Sequence, residues 1–324
     1  MSAVTISIIN YRTCKMTIAC IESVLADLAG GDGWPSTAGE VIVVDNASGD
    51  GSAEELARWI AARPDAPIRL IRAERNGGFS AGHNIAIAAS RSEYVLLLNS
   101  DALLRTGCLS GLLAEAEAHP RIGLVGARLE DEAGAPQTSC FRCHTAMSEL
   151  IRGANSGLVT SALRRWEVPL GPDPAPGDID WASFACILVR RALIDRIGPL
   201  DEGYFLYFED AEYCRRARSD GWSVAYAPQA RAVHHRGGSG PVKARAAARE
   251  RLPAYYYASR TRYFYQSGGR LGLLAANLCW LAGRGIAHAR RLAGRSVPPA
   301  SECEARDLWI NALSPPGPRR APGE

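Results

Sequence analysis

The stretch Leu96–Leu104, LLLNSDALL, decides how this chain is read. Three consecutive leucines follow Tyr94 and Val95, an apolar run of strand length that suits a strand buried on both faces. The run then breaks into an amide, a hydroxyl and a carboxylate at Asn99, Ser100 and Asp101 before apolar residues return. An Asx-type turn accounts for these three residues, because their side chains bond to nearby backbone. On these residues alone the turn is the first account, and presentation of oxygen ligands to a hard divalent cation at the tip of a core strand is the second.

Upstream, VTISII (Val4–Ile9), EVIVVDN (Glu40–Asn46) and IRLIRA (Ile68–Ala73) have the same β-branched, apolar character, and YVLLLN (Tyr94–Asn99) completes a set of four. Helical stripes lie between them. Ile18, Ile21, Leu25 and Leu28 share one face, SAEE (Ser52–Glu55) fits a capping box that opens a helix, and residues 81–90 and 106–118 suit two more. Strands alternating with helices define an α/β fold with a mostly parallel sheet covered on both faces. Ligands of such sheets bind outside the carboxyl ends of the strands. Tyr11, Asp45, Asn76 and Asp101 all fall at or just after those ends.

Pattern is weaker over residues 130–178, where GPDPAPGD (Gly171–Asp178) marks a long loop. IDWASFACILV (Ile179–Val189) resumes as one buried strand, 191–197 reads as a helix, and EDAEYCRRARSDG (Glu209–Gly221) as another. WSVAYAP and ARAVHH predict two short strands, and residues 249–292 a basic helical segment. The end, SPPGPRRAPGE, has a disordered composition. The expected division is one domain over 1–265, a helical basic extension over 266–295 and a disordered tail over 296–324.

The 324 residues carry a formal charge of only +3, which makes no case for a nucleic-acid partner. Val4–Ile9 is too brief for a secretory signal core, and no run is apolar enough to span a bilayer. Nine scattered cysteines argue against a disulfide framework and for a cytoplasmic location. Cys140, Cys143 and His144 form a lone CxxC-His without a second pair and read as loop thiols.

Three further segments offer chemistry. ERNGGFSAGHN (Glu74–Asn84) supplies glycines at 77, 78 and 82 before a helix, as an anion-binding turn or as a plain strand-to-helix turn. YFLYFEDAEYCRR (Tyr204–Arg216) leads from aromatics into Glu209 and Asp210, either capping acids in a first helical turn or a general base beneath aromatic walls. AVHHRGGS (Ala232–Ser239) ends a strand in two histidines, one a possible metal ligand or both plain surface residues.

In this order the segments resemble family 2 of the glycosyltransferases, and within it the rhamnosyltransferase-type branch, over residues 3–265. The resemblance implies a GT-A fold: a Rossmann-like, mostly parallel mixed sheet flanked by helices. It implies that Tyr11 and Asp45 contact the nucleobase, that Asn76 and Gly78 belong to the third donor motif, and that Asn99 helps hold ribose or phosphate. LLLNSD matches the DxD-type motif with Asn99 in place of its first acid, so Asp101 falls on the metal position and His234 on the metal-side histidine. Asp210 falls on the catalytic base, with Glu209 orienting hydroxyls. Trp181 offers a platform for a sugar face, and Phe184 and Arg216 lie in substrate-side motifs. Phe184 replaces a usual glycine, Glu212 a usual aspartate and Thr261 a frequent asparagine.

The implied reaction is an inverting transfer of rhamnose or another hexose, with Mg²⁺ or Mn²⁺, in polysaccharide biosynthesis. The donor is a dTDP-, UDP- or GDP-linked sugar, and the acceptor a hydroxyl of a glycan, a lipid-linked or a small molecule. A nucleotidyltransferase would need a glycine- and lysine-rich phosphate loop near residue 11, which is absent. A non-catalytic nucleotide-sugar or glycan binder is the other alternative, against which Asp101 and Asp210 are both retained. LGLLAANLCWLAG (Leu271–Gly283), followed by Arg284, Arg290, Arg291 and Arg295, reads first as a helix packed on the domain and second as an interfacial helix giving peripheral contact with the inner face of a membrane.

Overall fold

β1 (Val4–Asn10) is buried along almost its whole length, as its Val and Ile content requires, and is flanked on both sides by parallel strands. In the computed structural model, which describes residues 4–30, 39–235, 242–317 and 321, the chain forms two compact units. The first comprises the described residues of Met1–Phe141, Leu170–Glu202 and Tyr213–Ser239; the second, those of Arg142–Pro169, Gly203–Glu212 and Gly240–Glu324. This division differs from the one drawn on sequence, because the second unit gathers three separate segments.

The first unit runs β1, α1 (Cys14–Gly30), β2 (Gly39–Asp45), α2 (Ser52–Ala61), β3 (Ile68–Arg72), α3 (Gly78–Ala89), β4 (Tyr94–Asn99), β5 (Ala102–Leu104), α4 (Cys108–Ala118), β6 (Ile122–Glu130) and β7 (Cys140–Phe141). In the second unit α5 (Ala146–Ala154) and α6 (Gly157–Ala162) follow. The chain returns to the first with β8 (Trp181–Ala182), β9 (Cys186–Arg190) and α7 (Arg191–Ile197). α8 (Glu209–Ser219) begins in the second unit's share of the chain and ends in the first's, where β10 (Ser223–His234) lies. α9 (Val242–Ala248), α10 (Ala254–Leu292) and α11 (Glu304–Asp307) belong to the second.

The main sheet has eight strands in the order β3-β2-β1-β4-β9-β6-β10-β5. β1 to β4 are mutually parallel; β9 is antiparallel to both β4 and β6, and β5 to β10. Ile6, Ile8, Val41, Val43, Leu96 and Leu98 fill the core on one face with Ile21, Val24 and Leu112. Gly82 of α3 lies so close to β1 that a Cβ there would sit 2.8 Å from Ile9 Cδ1. Asp27 of α1 accepts the amides of Gly107 (2.5 Å) and Leu109 (2.8 Å), capping α4, whose own N-cap is a glycine.

Several expected elements differ. α2 starts at Ser52, but its N-cap is Gly51 at φ 89, and Ser52 Oγ bonds to Asp50 Oδ1 rather than closing a box. The 179–189 strand is broken, because Ser183–Ala185 interrupts β8 and β9. The two short strands of 222–235 are one twelve-residue strand with a register shift between Ala227 and Arg231. α10 passes straight through the expected boundary at 265 and instead kinks at Gly268–Gly269, where Gly269 has φ 63. Cys140 lies in β7 rather than in a loop, and all nine cysteines are free thiols.

In the second unit Glu149 is buried with Arg260, accepts from Arg260 and Arg152, and Arg152 also pairs with Glu304. Burial alone would push Glu149 up, but the two guanidiniums hold it down at about 2. The described part of the expected disordered tail is folded. Leu308 is fully buried, Asn277 donates to Leu308 O, Arg251 pairs with Asp307, and Thr261 Oγ1 donates to Ile310 O. Proline content misled there, because DLWI (Asp307–Ile310) supplies apolar and charged groups that have partners.

Candidate functional site

The carboxyl edge of the sheet in the first unit is organised by asparagines. Asn10, fully buried at the end of β1, donates through Nδ2 to Asp45 Oδ1 (2.6 Å) and Ser48 Oγ (3.1 Å). Its Oδ1 accepts from the Thr13 amide and from the hydroxyls of Thr13 and Thr17. Asp45 also accepts from Ser48 Oγ (2.6 Å) and Ser48 N (3.2 Å), so much of its carboxylate shapes the loop that follows β2. Tyr11 is partly buried beside Arg12, which has φ 58 and is anchored to Ser48 through its amide and its Nε. Thr13 and Ser48 were missed as individual residues, although they lie beside or within the motifs.

Asn46 does the same for the glycine-rich turn. Its Nδ2 donates to Asn76 Oδ1 (2.9 Å) and Gly78 O (3.0 Å), and its Oδ1 accepts the Gly77 amide. Asn76 Oδ1 accepts the Gly78 amide. Gly78 has φ 78, a conformation that favours glycine. The amides of Gly77 and Gly78 therefore already have side-chain partners, which favours the structural-turn account of this segment over an anion cradle built from these two groups.

At the tip of β4, Asn99 is partly buried and its amide donates to Ala185 O (3.0 Å). Ser100 Oγ lies 3.1 Å from Thr13 Oγ1, tying the β4 tip to the β1 tip. Asp101 is 1% exposed. Its carbonyl accepts the His235 amide (2.9 Å), which locks Asp101 to the end of β10, where His234 pairs with Ala102. His234 is also buried, its Nε2 is 3.6 Å from Asp101 Oδ1, and its Nδ1 has no hydrogen-bond partner among the described residues.

That separation is longer than a hydrogen bond but fits two ligands of one cation. Donors about 2.1 Å from an ion and 90–120° apart stand about 3.0–3.6 Å from each other. Among the described residues no cluster of three or more His, Cys, Asp or Glu could hold an ion. This pair would therefore leave most of a cation's positions to phosphate oxygens or water. The loop expected after His235 falls on residues 236–239, outside the described ones.

Three substrate-side residues are engaged within the first unit. Trp181 is 8% exposed and stacks on Phe141 at 4.0 Å and 14°, so one ring face is already covered and cannot serve as a sugar platform. Phe184 is buried between Phe79 and Tyr213, filling an aromatic cluster. Arg216 donates to Ile197 O (2.7 Å) and Pro199 O (3.0 Å), the carbonyls at the end of α7 and just beyond it. Those bonds give its guanidinium a helix-terminating role that the sequence did not disclose.

In the second unit, Tyr207 and Phe208 have φ 72 and 69, a conformation costly for bulky side chains. They deliver the chain into α8, whose first residues are Glu209 and Asp210. Phe208 packs against His144, Tyr256 and Tyr263. Burial, then the neighbouring Asp210, raises Glu209 well above the usual carboxylate range, and its Oε2 has no hydrogen-bond partner among the described residues. Burial raises Asp210 to about 7, although its Oδ1 accepts the Ala211 amide (2.8 Å). Burial in an aromatic setting thus raises both of these adjacent carboxyls.

A doubly covered sheet with a switch of strand direction at β9 and a polar carboxyl edge is the architecture of the GT-A fold. Residues 5–147 match the family described as Glycosyl transferase family 2. The chain is 27% identical over 262 residues to N-acetylglucosaminyl-diphospho-decaprenol L-rhamnosyltransferase of Mycobacterium tuberculosis, covering 74% of this chain and 78% of that one. It is 25% identical over 165 residues to Rhamnosyltransferase WbbL of Escherichia coli, covering 49% and 61%. The mannosyltransferase PcManGT of Pyrobaculum calidifontis, solved with GDP-Man and Mn²⁺, shares the fold at TM-score 0.57 and 18% identity, over 97% of this chain and 82% of that one. The chain is thus similar to glycosyltransferase family 2, whose model it matches over residues 5–147, and rhamnosyltransferases are among its relatives.

Proposed function

We propose that the protein is an inverting, metal-assisted hexosyltransferase, with rhamnose or another hexose carried on a nucleoside diphosphate and a hydroxyl of a glycan, lipid-linked or small molecule as acceptor. The observation that carries this reading is the Asp101–His234 pair, buried on adjoining strand ends with 3.6 Å between ligand atoms. Rhamnosyltransferase relatives, one of them named for a diphospho-decaprenol-linked substrate, support rhamnose and a lipid-linked acceptor. Peripheral attachment at the inner face of a membrane belongs to the same reading.

Asp45 and Tyr11 would contact the nucleobase, with Asn10 and Ser48 fixing Asp45. Asn76 and Gly78 would shape the donor-side turn, and Asn99 would face ribose or phosphate. Asp101 and His234 would hold Mg²⁺ or Mn²⁺, whose charge, when bound, offsets that of the departing diphosphate. The acceptor hydroxyl gives its proton to ionised Asp210. Its oxygen bonds to the anomeric carbon as the bond from that carbon to the diphosphate breaks, and the nucleoside diphosphate leaves. Glu209, whose carboxyl burial raises, would orient a sugar hydroxyl.

The test is a thermal-shift screen of dTDP-, UDP- and GDP-sugars with Mg²⁺ or Mn²⁺, followed by assay of nucleoside diphosphate release with glycan and polyprenyl-linked acceptors. A stabilising donor that also turns over supports transfer. Stabilisation without turnover of any donor favours a binding protein, and pyrophosphate exchange favours a nucleotidyltransferase.

A further inference from the structure

α10 carries its amphipathic pattern inside out after the kink at Gly268–Gly269. Its buried residues there are Leu273, Ala276, Asn277, Trp280, Gly283 and Ala287. Two glycines let it touch α5 backbone to backbone: a Cβ on Gly153 would collide with Trp280 O, and one on Gly283 with Leu150 O. Asn277 is fully buried and bonded to Arg260 and Leu308. The opposite side is leucine. Leu271, Leu274, Leu278 and Leu281 are 79%, 42%, 51% and 37% exposed. At 100° per residue they occupy about 80° of arc, roughly opposite the packed face.

The charge on this helix has one sign. Ala254–Leu292 contains six arginines and neither aspartate nor glutamate. Arg284 and Arg290 donate to carbonyls at the end of α5 and Arg291 Nε to Val297 O, while Arg270 is exposed just before the leucine stripe and Arg295 is exposed beyond the end of the helix. No helix among the described residues is long and apolar enough to cross a membrane. An apolar stripe with basic ends, on a helix held to its unit by the other face, has the chemistry of an interfacial anchor. The 3-4-3 spacing of the leucines also suits a coiled-coil seam, but it covers only two heptads, and an acid-free helix offers its own copy no opposite charges.

We propose that the Leu271–Leu281 stripe and its flanking arginines dock this protein onto an anionic lipid surface. The leucines lie among the acyl chains and the arginines meet the headgroup phosphates. The inference rests on the peripheral attachment in the proposed function and names the surface that makes it; vesicle binding is read with no donor or acceptor present, so its failure leaves the transfer chemistry standing.

The test is co-sedimentation of the full chain with vesicles of phosphatidylcholine alone or with about a third phosphatidylglycerol, alongside light scattering without lipid. We expect partition into the anionic vesicles about tenfold above the neutral ones, weakened by salt. Leu274→Glu with Leu278→Glu should reduce it by about tenfold or more, and Leu281→Gln by less, with thermal unfolding unchanged. Absence of binding to anionic vesicles, or equal binding by the double variant, overturns the proposal. So does a dimer that the double variant converts to monomer, since a second copy would then be the occupant.

Discussion

His234 Nε2 stands 3.6 Å from Asp101 Oδ1, on strand ends held together by the His235 amide. Ligand atoms at that separation suit a shared cation better than a direct hydrogen bond. Asp101→Ala should lower transfer by about 10²–10³-fold, and His234→Ala by somewhat less, because each removes charge stabilisation worth several kcal/mol. Calorimetry of nucleoside diphosphate binding with and without Mn²⁺ checks this. The wild type should lose affinity on chelation, and the variants should be indifferent to it.

Asp210, raised to about 7 by burial, must be ionised to accept a proton. The rate constant kcat/KM should therefore rise with pH, about tenfold per unit below 7, and level off above it. The stability effect has the opposite sign. A carboxyl whose folded pKa is raised contributes stability below its unfolded pKa that is lost as pH rises through 7. Asp210→Asn should accordingly unfold at a higher temperature than the wild type at pH 8, by a few degrees, with the gap narrowing toward pH 4.

Asp27→Ala should destabilise the first unit, since it uncaps α4 from another helix. A loss of about 1–2 kcal/mol corresponds to a fall in Tm of about 2–8 °C. Thermal unfolding followed by circular dichroism measures it.

Arg260→Met should be costlier, because it leaves Glu149 buried with only Arg152 and deprives Asn277 of a partner. About 3–5 kcal/mol is expected. Double replacement with Glu149→Gln should recover part of it, as denaturant titration of the three variants would show.

The four parallel strands were legible because each is a short apolar run ended by a polar group, and their ends match the sequence to within a residue or so. Asp101 and His234 were legible as a pair only through the family resemblance; the structure adds their antiparallel register. β5 was missed because Ala102–Leu104 is three residues long, and β6 because IGLVGARLE (Ile122–Glu130) carries two glycines. The contacts of Trp181 and Arg216 were hidden from the sequence for one reason. A sequence shows that an indole or guanidinium is present, but not that Phe141 covers the first and the α7 carbonyls occupy the second. The Asn46–Asn76 bond links loops thirty positions apart, and no local pattern encodes it.

Proton removal by Asp210 is the step on which the proposed transfer depends. The direct measurement pairs two readings on Asp210→Asn: transfer rate from a competent donor, and nucleoside diphosphate affinity by calorimetry with Mn²⁺. Transfer should fall by about 10²–10⁴-fold while affinity stays within about threefold of the wild type. Transfer that remains within about threefold of the wild type, at unchanged affinity, would contradict the assignment.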